Sequence, residues 1–369
     1  MSSTRREVLL AAAGSLAAAT AAPPGSVAFH YEAVFTPQAF DWYTRFETLV
    51  TGAFLSPQET ARLRTRVPRL VAYEWSSGFY PNELSAVMRP WAELVRKNGR
   101  SWLLSDTPVG GAAAEPGKTA FWYDYGNPEL RAARAEYLAR ALESQKYDGL
   151  FFDTVGSQQL PGAMQARYAQ LHPKLDYNAA QGLFFGELRR LTGNRKIIFL
   201  NQGYRHAAHL LPHADMDLTE SYITALDGRG TRFRPWDDAA KPWEAIRTPM
   251  EQLVLAAQRR FPKVKFVHVN YAAGDAATTR RAARYSWAVS QLLGHTSYTI
   301  VPGVPSQERD EIYFRRLGEA KGGGTYRVSG GVLWREYEKG VLAVNTGAEA
   351  ARIPTTKIEV PGGPDGFVL

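Results

Sequence analysis

Tyr147-Asp148-Gly149-Leu150-Phe151-Phe152-Asp153-Thr154 is the stretch that decides the fold class of this chain. Its apolar centre does not alternate with polar residues, and a carboxylate follows it at once. A run of this kind is typical of a strand that is buried on both faces, as the strands of a parallel sheet are. The stretch therefore predicts a parallel strand over 149–153 that ends on Asp153.

Seven further short runs rich in β-forming residues recur along the chain, separated by longer helical patterns. These runs span residues 27–31, 48–51, 69–74, 101–106, 196–201, 216–220 and 264–270. The helical patterns include residues 82–98, 128–145, 248–260 and 278–293. About eight βα units in roughly 250 residues predict an α/β fold of the (β/α)8 TIM barrel type. An open, doubly wound sheet is the alternative, but no glycine-rich phosphate loop follows any of the runs.

The two ends of the chain differ from this pattern. Paired arginines, Arg5 and Arg6, precede an Ala-rich apolar run that ends in small residues, which predicts a twin-arginine-type signal peptide over 1–21. The barrel is expected over 22–321. Short β-like runs beyond Gly322-Gly323-Gly324 predict a small C-terminal antiparallel β domain over 325–369. We therefore expect an exported protein, periplasmic, cell-surface or extracellular, with no stable membrane insertion after the signal is cleaved.

Composition excludes several classes of function. The 369 residues include no cysteine, so disulfides, thiolate metal sites and cysteine nucleophiles are ruled out. The formal net charge is +8, but the basic residues are scattered along helical patterns, so no nucleic-acid partner is expected. The basic surface favours a neutral or acidic polymer over a cationic one.

Polar side chains lie at or near the ends of most of the predicted strands. In a barrel enzyme the active site is at the C-terminal ends of the strands, so we expect these side chains to converge on one pocket. They are His30, Glu32, Glu74, Asp106, Asp153, Asn201, Glu220 and Asn270.

Asp153 and Glu220 are the predicted catalytic residues. A carboxylate beside so apolar a strand is costly unless it has partners or a task. A helix N-cap is the alternative role for Asp153, and a capping or surface position the alternative for Glu220. Two carboxylates from separate strands are what glycosidic cleavage requires, one as acid and the other as nucleophile or base. Asp106 and Glu74 are the competing carboxylates for the acid.

Further residues near the strand ends are predicted to bind substrate. Amides both donate and accept hydrogen bonds, and aromatic faces can stack on sugar rings. The predicted substrate-binding residues are His30, Tyr31, Glu74, Trp75, Asp106, Asn201, Tyr222, Asn270 and Tyr271.

Metal and serine chemistry receive less support from the sequence. His209 and His213 are four residues apart and close to Asp215, but Pro212 would disturb the helix needed to align the two rings. No Gly-x-Ser-x-Gly motif occurs, which argues against a serine hydrolase. We expect no metal and no cofactor, with a metal-dependent deacetylase as the remaining alternative.

The segment 147–154, together with the helix that starts at Asn127-Pro128-Glu129, resembles a motif of a glycosidase clan of (β/α)8 barrels. The clan includes endo-α-1,4-polygalactosaminidases (glycoside hydrolase family 114) and related bacterial glycosyl hydrolases. The resemblance extends over roughly residues 27 to 300 and implies a catalytic pair of an aspartate and, two strands later, a glutamate, which match Asp153 and Glu220. One departure is the stretch after Asp153, where the family often has a second aspartate and this chain has Thr154-Val155-Gly156-Ser157.

Residues and resemblance together predict an exported glycoside hydrolase that cleaves a polysaccharide, which could contain amino sugars, by a two-carboxylate mechanism. Asp153 is expected to act as nucleophile or base and Glu220 as general acid. The alternative is a non-catalytic barrel that binds carbohydrate, because a fold does not by itself establish chemistry.

Overall fold

Eight parallel strands form a nearly closed barrel at the centre of the molecule. The computed structural model describes residues 25–32, 34–82, 84–110, 118–227, 230–233, 250–303, 309–322, 326–354, 356–363 and 367–368. The barrel strands, in their hydrogen-bonded order, are β1 (Val27–His30), β2 (Thr48–Thr51), β3 (Arg69–Trp75), β6 (Gly149–Asp153), β7 (Ile197–Asn201), β8 (Met216–Glu220), β11 (Lys265–Tyr271) and β12 (Thr296–Ile300). The edge strands β1 and β12 approach each other, and Thr296 Oγ1 donates a hydrogen bond to Gly25 O over 2.9 Å. The TIM-barrel prediction is therefore confirmed, and the doubly wound alternative is wrong.

Helices and short strands connect the barrel strands. The helices are α1 (Pro37–Tyr43), α2 (Pro57–Leu63), α3 (Arg89–Asn98), α4 (Pro128–Ser144), α5 (Gly162–Leu171), α6 (Tyr177–Thr192), α7 (Gly203–His206), α8 (Leu255–Arg260) and α9 (Ala276–Leu292), and a π-helical turn (Met250–Val254) leads into α8. The short strands pair antiparallel, as β4 (Gly78–Phe79) with β5 (Phe121–Trp122) and as β9 (Thr224–Asp227) with β10 (Gly230–Phe233). No helix in the described ranges has both the length and the apolar character needed to cross a membrane.

One of the predicted barrel strands is wrong, and one was missed. Residues 101–106 lie in the long connection between β3 and α4, where only Leu103 forms an isolated bridge, to Tyr123. The missing strand is β12, whose Thr296-Ser297-Tyr298-Thr299-Ile300 sequence is not an apolar run. Ser297 and Thr299 are nevertheless buried. Packing of α9 against β12 buries this strand, which its composition does not predict.

Capping residues set the helix boundaries near the site. Asn127 caps α4 by accepting hydrogen bonds from the backbone N–H groups of Glu129 and Leu130, with Pro128 in the first turn. Helix α3 begins at Arg89, seven residues later than the sequence pattern indicated. Pro90 explains the shift, because a proline fits only the first turn of a helix.

Aromatic rings fill the barrel below its C-terminal mouth. The ring centroid of Phe151 lies 5.7 Å from that of Phe29 and 4.9 Å from that of Phe199, and Tyr73 packs on Phe151 at 5.9 Å. Such a packed interior closes the barrel and leaves the strand ends as the floor of any pocket.

The C-terminal sheet is antiparallel, as predicted. It consists of β13 (Arg327–Ser329), β14 (Val332–Tyr337), β15 (Gly340–Asn345) and β18 (Phe367–Val368), with a β16–β17 pair (Ala351–Arg352 and Glu359–Val360) beside it. Alternate residues of β14 and β15 point to opposite faces. Leu333 and Leu342 join the apolar core of the barrel, whereas Val332 and Ala343 form a smaller cluster on the other face.

A buried chain of hydrogen bonds links β8, β11 and α8 on the outer side of the barrel wall. Thr219 Oγ1 lies 2.8 Å from His268 Nδ1, and His268 Nε2 lies 2.8 Å from His295 Nδ1. His295 Nε2 lies 3.0 Å from Gln258 Oε1. Burial lowers the pKa of both rings, to about 3 for His295, where the nearby Arg335 adds to the effect. Both histidines are therefore neutral in the folded protein.

Candidate active site

Asp153 and Glu220 lie at the C-terminal ends of β6 and β8, on either side of β7, which ends at Asn201. Both carboxylates are half-buried, and Asn201 is 8% exposed. The three side chains line one cavity at the barrel mouth. The structure thus brings together the two predicted catalytic residues and one predicted substrate-binding residue.

The amide group of Asn201 bridges the two carboxylates. Its Nδ2 lies 2.8 Å from Asp153 Oδ1 and 2.9 Å from Glu220 Oε2. An amide nitrogen has two hydrogens, so it can donate one to each acid. The two acceptor oxygens can be at most about 5.7 Å apart, the sum of those distances.

Asp153 has three hydrogen-bond donors and Glu220 has two. Besides Asn201, Asp153 accepts from the Thr154 N–H at 2.7 Å and from the Tyr73 hydroxyl at 2.8 Å. Glu220 accepts from the Tyr271 hydroxyl at 2.9 Å. Burial and the adjacent carboxylates raise the pKa of Tyr73 and of Tyr271 above the ordinary tyrosine value, so both hydroxyls keep their protons and donate.

The residue after each of these three side chains has a left-handed backbone. The φ angles are +55° at Thr154, +53° at Gln202 and +54° at Ser221. This region is costly for residues other than glycine, and such strain concentrates at functional sites. The three turns lie side by side on adjacent strands and direct the chain away from the mouth immediately after each functional group.

The carboxylate of Asp217 stabilises the turn that follows Asn201. It accepts hydrogen bonds from the backbone N–H groups of Gly203 (2.8 Å) and Tyr204 (2.7 Å). A Cβ on Gly203 would lie 2.9 Å from Leu200 Cδ1 and 3.1 Å from Asp217 Oδ1, so a larger residue would displace one of these side chains. Burial raises the pKa of Asp217 to about 8.

The cavity around the carboxylates has a volume of about 600 Å³. Of the predicted substrate-binding residues, five line it: Tyr31, Glu74, Trp75, Asn201 and Tyr271. Trp75 stacks on Tyr80 with 4.5 Å between ring centroids and 11° between planes, which provides a flat aromatic wall.

Four predicted substrate-binding residues lie outside the lining of this cavity. His30 packs between Phe35 and Tyr43, with ring centroids at 4.1 and 4.6 Å, because its side chain points outward from β1. Asn270 also points outward, from β11. Its Oδ1 accepts hydrogen bonds from the backbone N–H groups of Ile223 at 2.9 Å and Thr224 at 3.1 Å.

The other two are Tyr222 and Asp106. Tyr222 is buried against His268, with 5.3 Å between ring centroids. Asp106 is exposed, lies in the connection between β3 and α4, and is not among the residues that line the cavity.

Glu74 lines the cavity, but its carboxylate is held by a buried cation. Arg134 of α4 is fully buried, and its Nη2 lies 2.9 Å from Glu74 Oε1. Arg134 also donates to Trp75 O over 2.9 Å. Burial raises the pKa of Glu74, and the Arg134 guanidinium partly offsets that effect. Glu74 is therefore better placed to fix the end of β3 than to protonate a leaving group.

Tyr73 is the principal site residue that the sequence analysis missed. It lies one residue before Glu74 on β3, inside an apparently apolar run. The alternation of side chains along a strand could have identified it. Residues 71, 73 and 75 share one face of β3, and Trp75 was already assigned to the pocket.

The candidate metal ligands remain apart from this site. Asp215 binds Arg189 through a contact of 2.6 Å, and His209 Nε2 lies 2.9 Å from Asn178 O. Within the part of the chain that the structure describes, no group of three or more His, Asp or Glu residues could hold a metal ion.

Comparison with known proteins adds evidence on the fold. No protein-family model matches the chain, and no curated protein matches its sequence. Among solved structures, the glycoside hydrolase domain of PelA from Pseudomonas aeruginosa is similar, with a TM-score of 0.52 and 21% identity over 77% of this chain and 97% of that one. A variant of the same domain gives a TM-score of 0.53 and 22% identity over the same shares. The α-amylase from Geobacillus thermoleovorans, complexed with acarbose, gives 0.50 and 11% over 93% of this chain and 95% of that one. The chain thus has the barrel fold found in these glycoside hydrolases.

Proposed function

We propose that this protein is a glycoside hydrolase, related to the barrel clan that includes endo-α-1,4-polygalactosaminidases, and that Asp153 and Glu220 cleave the glycosidic bond. The observation that carries the proposal is the single amide, Asn201, which bridges both carboxylates at the barrel mouth. Two carboxyl groups across a sugar-sized gap constitute the machinery of glycosidic cleavage. The similar barrel of the PelA domain, named as a glycoside hydrolase, supports the assignment.

The donors around each carboxylate divide the two roles. Asp153 accepts three hydrogen bonds, one more than Glu220, and these stabilise its anion, which suits a nucleophile or base. Glu220, with two donors, is assigned as the general acid that protonates the leaving oxygen.

The separation of the carboxylates supports retention of configuration. Retaining pairs are about 5–5.5 Å apart, whereas inverting pairs need about 6.5–9.5 Å to admit a water molecule. The two oxygens that share the Asn201 amide are at most about 5.7 Å apart, and this close approach of the carboxyl groups favours the first class. Asp153 would then form a glycosyl-enzyme intermediate, and Glu220 would activate the water that hydrolyses it. NMR observation of the first anomer released tests this assignment, and an inverted product contradicts it.

An amino-sugar polymer is the substrate class that the charges favour. Asp153 and Glu220 line the catalytic cavity with no Lys, Arg or His among the described lining residues, whereas the third acidic lining residue, Glu74, is paired with the buried Arg134. The cavity is therefore negative, although the chain carries a net charge of +8. The charge of the cavity is thus opposite in sign to the net charge of the chain. The amino-sugar proposal therefore replaces the expectation of a neutral or acidic polymer, which came from the net charge alone. An exposed amine on the sugar would be attracted to this cavity, and salt would weaken that attraction.

The test uses purified protein, a panel of acetylated and partly deacetylated amino-sugar polymers together with neutral α-glucans, and mass spectrometry of the products. Asp153→Asn and Glu220→Gln should each lower turnover by roughly 10³-fold or more while polymer binding persists. Glu93→Gln is the matched control at an exposed position outside the cavity and should behave as wild type. If several polymers bind and none is cleaved, the protein is a carbohydrate-binding barrel instead.

We also propose that the protein is exported through its N-terminal segment. The segment 1–21 lies outside the described residues, so its paired arginines and Ala-rich run are the support. Replacement of both Arg5 and Arg6 by Lys should retain the precursor in the cytoplasm of the producing cell. Unchanged export of that double variant contradicts twin-arginine targeting.

A further inference from the structure

A second groove opens from the catalytic cavity and continues along the side of the barrel. This flank groove has a volume of about 1130 Å³ and shares six lining residues with the cavity. The shared residues are Tyr31, Gly52, Ala53, Phe54, Leu84 and Ser85. A ligand can therefore pass from one space to the other without leaving the surface of the protein.

Two helices line the far part of the flank groove. Tyr137, Arg140 and Ser144 of α4 are spaced three and four residues apart, so they share one helix face. Gln58, near the start of α2, also lines the groove and is exposed. The groove therefore runs from the ends of β1 and β2 down between α2 and α4.

The groove lining carries two carboxylates, Glu32 and Glu59, against one guanidinium, Arg140, and it also contains serine, tyrosine and glutamine side chains. Arg140 pairs with Glu136 at 3.6 Å, and Glu59 lies 3.5 Å from Arg62, so the charge of the lining is small and negative. Hydroxyls and amides both donate and accept, as the hydroxyls of a sugar require. Apolar groups such as Val34 and Val87 provide contact for the C–H faces of the rings.

Tyr31 stands at the junction of the two spaces. It lines both and is 45% exposed, and its ring meets the edge of Tyr73 at 6.2 Å between centroids. Tyr73 in turn donates to Asp153. A sugar that packs on Tyr31 thus lies next to the bond that is cleaved, and units beyond it enter the flank groove.

We propose that the flank groove is a binding site for an arm of the saccharide chain, several sugar units long, on one side of the cleavage point. This proposal rests on the proposed function, because a saccharide is assigned to the groove on the ground that the groove is continuous with the catalytic cavity. The cavity of about 600 Å³ already matches an ordinary small-ligand site. The added volume is useful only to a substrate that extends past the reacting unit, so long chains should react better than short ones.

The test compares kcat/KM for the polymer that wild type cleaves best with kcat/KM for the shortest oligosaccharide of that polymer that is still cleaved. Gln58→Trp and Ser144→Trp place a bulky ring in the groove from opposite walls. Each should lower the ratio of polymer to oligosaccharide kcat/KM by roughly tenfold. Gln170→Trp, at an exposed position of α5 outside both spaces, is the matched control and should keep the wild-type ratio. Thermal unfolding confirms that each variant is folded.

The outcomes separate the two proposals. Unchanged ratios in both groove variants, with wild type active, overturn the flank-groove site and leave the glycosidase assignment intact. If wild type cleaves no saccharide, the proposed function fails, and affinity electrophoresis of the same variants in gels containing each panel polymer becomes the test. Weaker retardation of both groove variants than of Gln170→Trp then supports the groove as a carbohydrate site, and equal retardation overturns it.

Discussion

Replacement of Asn201 by leucine tests whether the bridging amide acts in catalysis. Leucine has nearly the same shape and removes both N–H donors without opening a cavity. The bonds lost are those of 2.8 Å to Asp153 and 2.9 Å to Glu220. Hydrogen bonds to charged groups contribute about 1.5–3 kcal/mol each, so the two together contribute about 3–6 kcal/mol.

If that free energy acts in the transition state, kcat/KM should fall by roughly 10²- to 10⁴-fold, since each 1.36 kcal/mol is a factor of ten. Stability should change far less, because the change also removes the buried Asn201 Oδ1, which has no hydrogen-bond partner among the described residues. The expected pattern is thus a large loss of activity with a thermal midpoint within a few degrees of wild type.

The assay measures initial rates on the best polymer of the panel and thermal unfolding of the same preparation. Asn194→Leu, at an exposed asparagine outside the cavity, is the matched control and should change neither quantity. A loss of less than about fivefold in kcat/KM for Asn201→Leu would refute the view that the amide organises the catalytic pair.

Three further predictions concern individual contacts. Tyr271→Phe removes only the donor to Glu220 and should lower kcat/KM by roughly ten- to a hundredfold, with unfolding unchanged. Arg134→Met leaves the carboxylate of Glu74 buried without its cation and should lower the free energy of unfolding by about 3–5 kcal/mol. Adding Glu74→Gln should restore part of that loss, and denaturant titration of the single and double variants measures it. Because the folded protein keeps His295 neutral while the unfolded chain takes up a proton below about pH 6.5, stability should fall as pH drops from about 6.5 toward 3. His295→Gln should make that fall shallower in denaturant titrations at several pH values, and an unchanged slope contradicts the buried neutral ring.

The sequence predicted the strand ends well where a strand is apolar throughout. Asp153 and Asn201 each follow such a run, Glu220 ends a strand that also contains Asp217 and Thr219, and all three lie together at the barrel mouth. It failed at β12, whose serines and threonines are buried only because α9 packs against that strand. Residues 101–106 gave the opposite error, because the three buried residues among them, Trp102, Leu103 and Leu104, lie in the connection between β3 and α4 and not in the barrel.

Neighbouring residues at a strand end show most clearly what the sequence analysis could not predict, namely which side chain faces the cavity. The sequence placed both His30 and Tyr31 in the pocket, and both Asn270 and Tyr271. Successive side chains of a strand point to opposite faces, so only one of each pair can face the barrel axis. In the structure, Tyr31 and Tyr271 line the cavity, while His30 and Asn270 face outward.

By itself the sequence determined the repeating βα pattern and the polar groups that end its strands, because burial of parallel strands leaves a direct record in composition. The direction of each side chain and the meeting of two carboxylates on one amide nitrogen were decided only by the tertiary structure. Both depend on how adjacent strands align when the sheet closes, and that alignment is a relation between segments up to 67 residues apart, from Asp153 to Glu220, that no single segment contains.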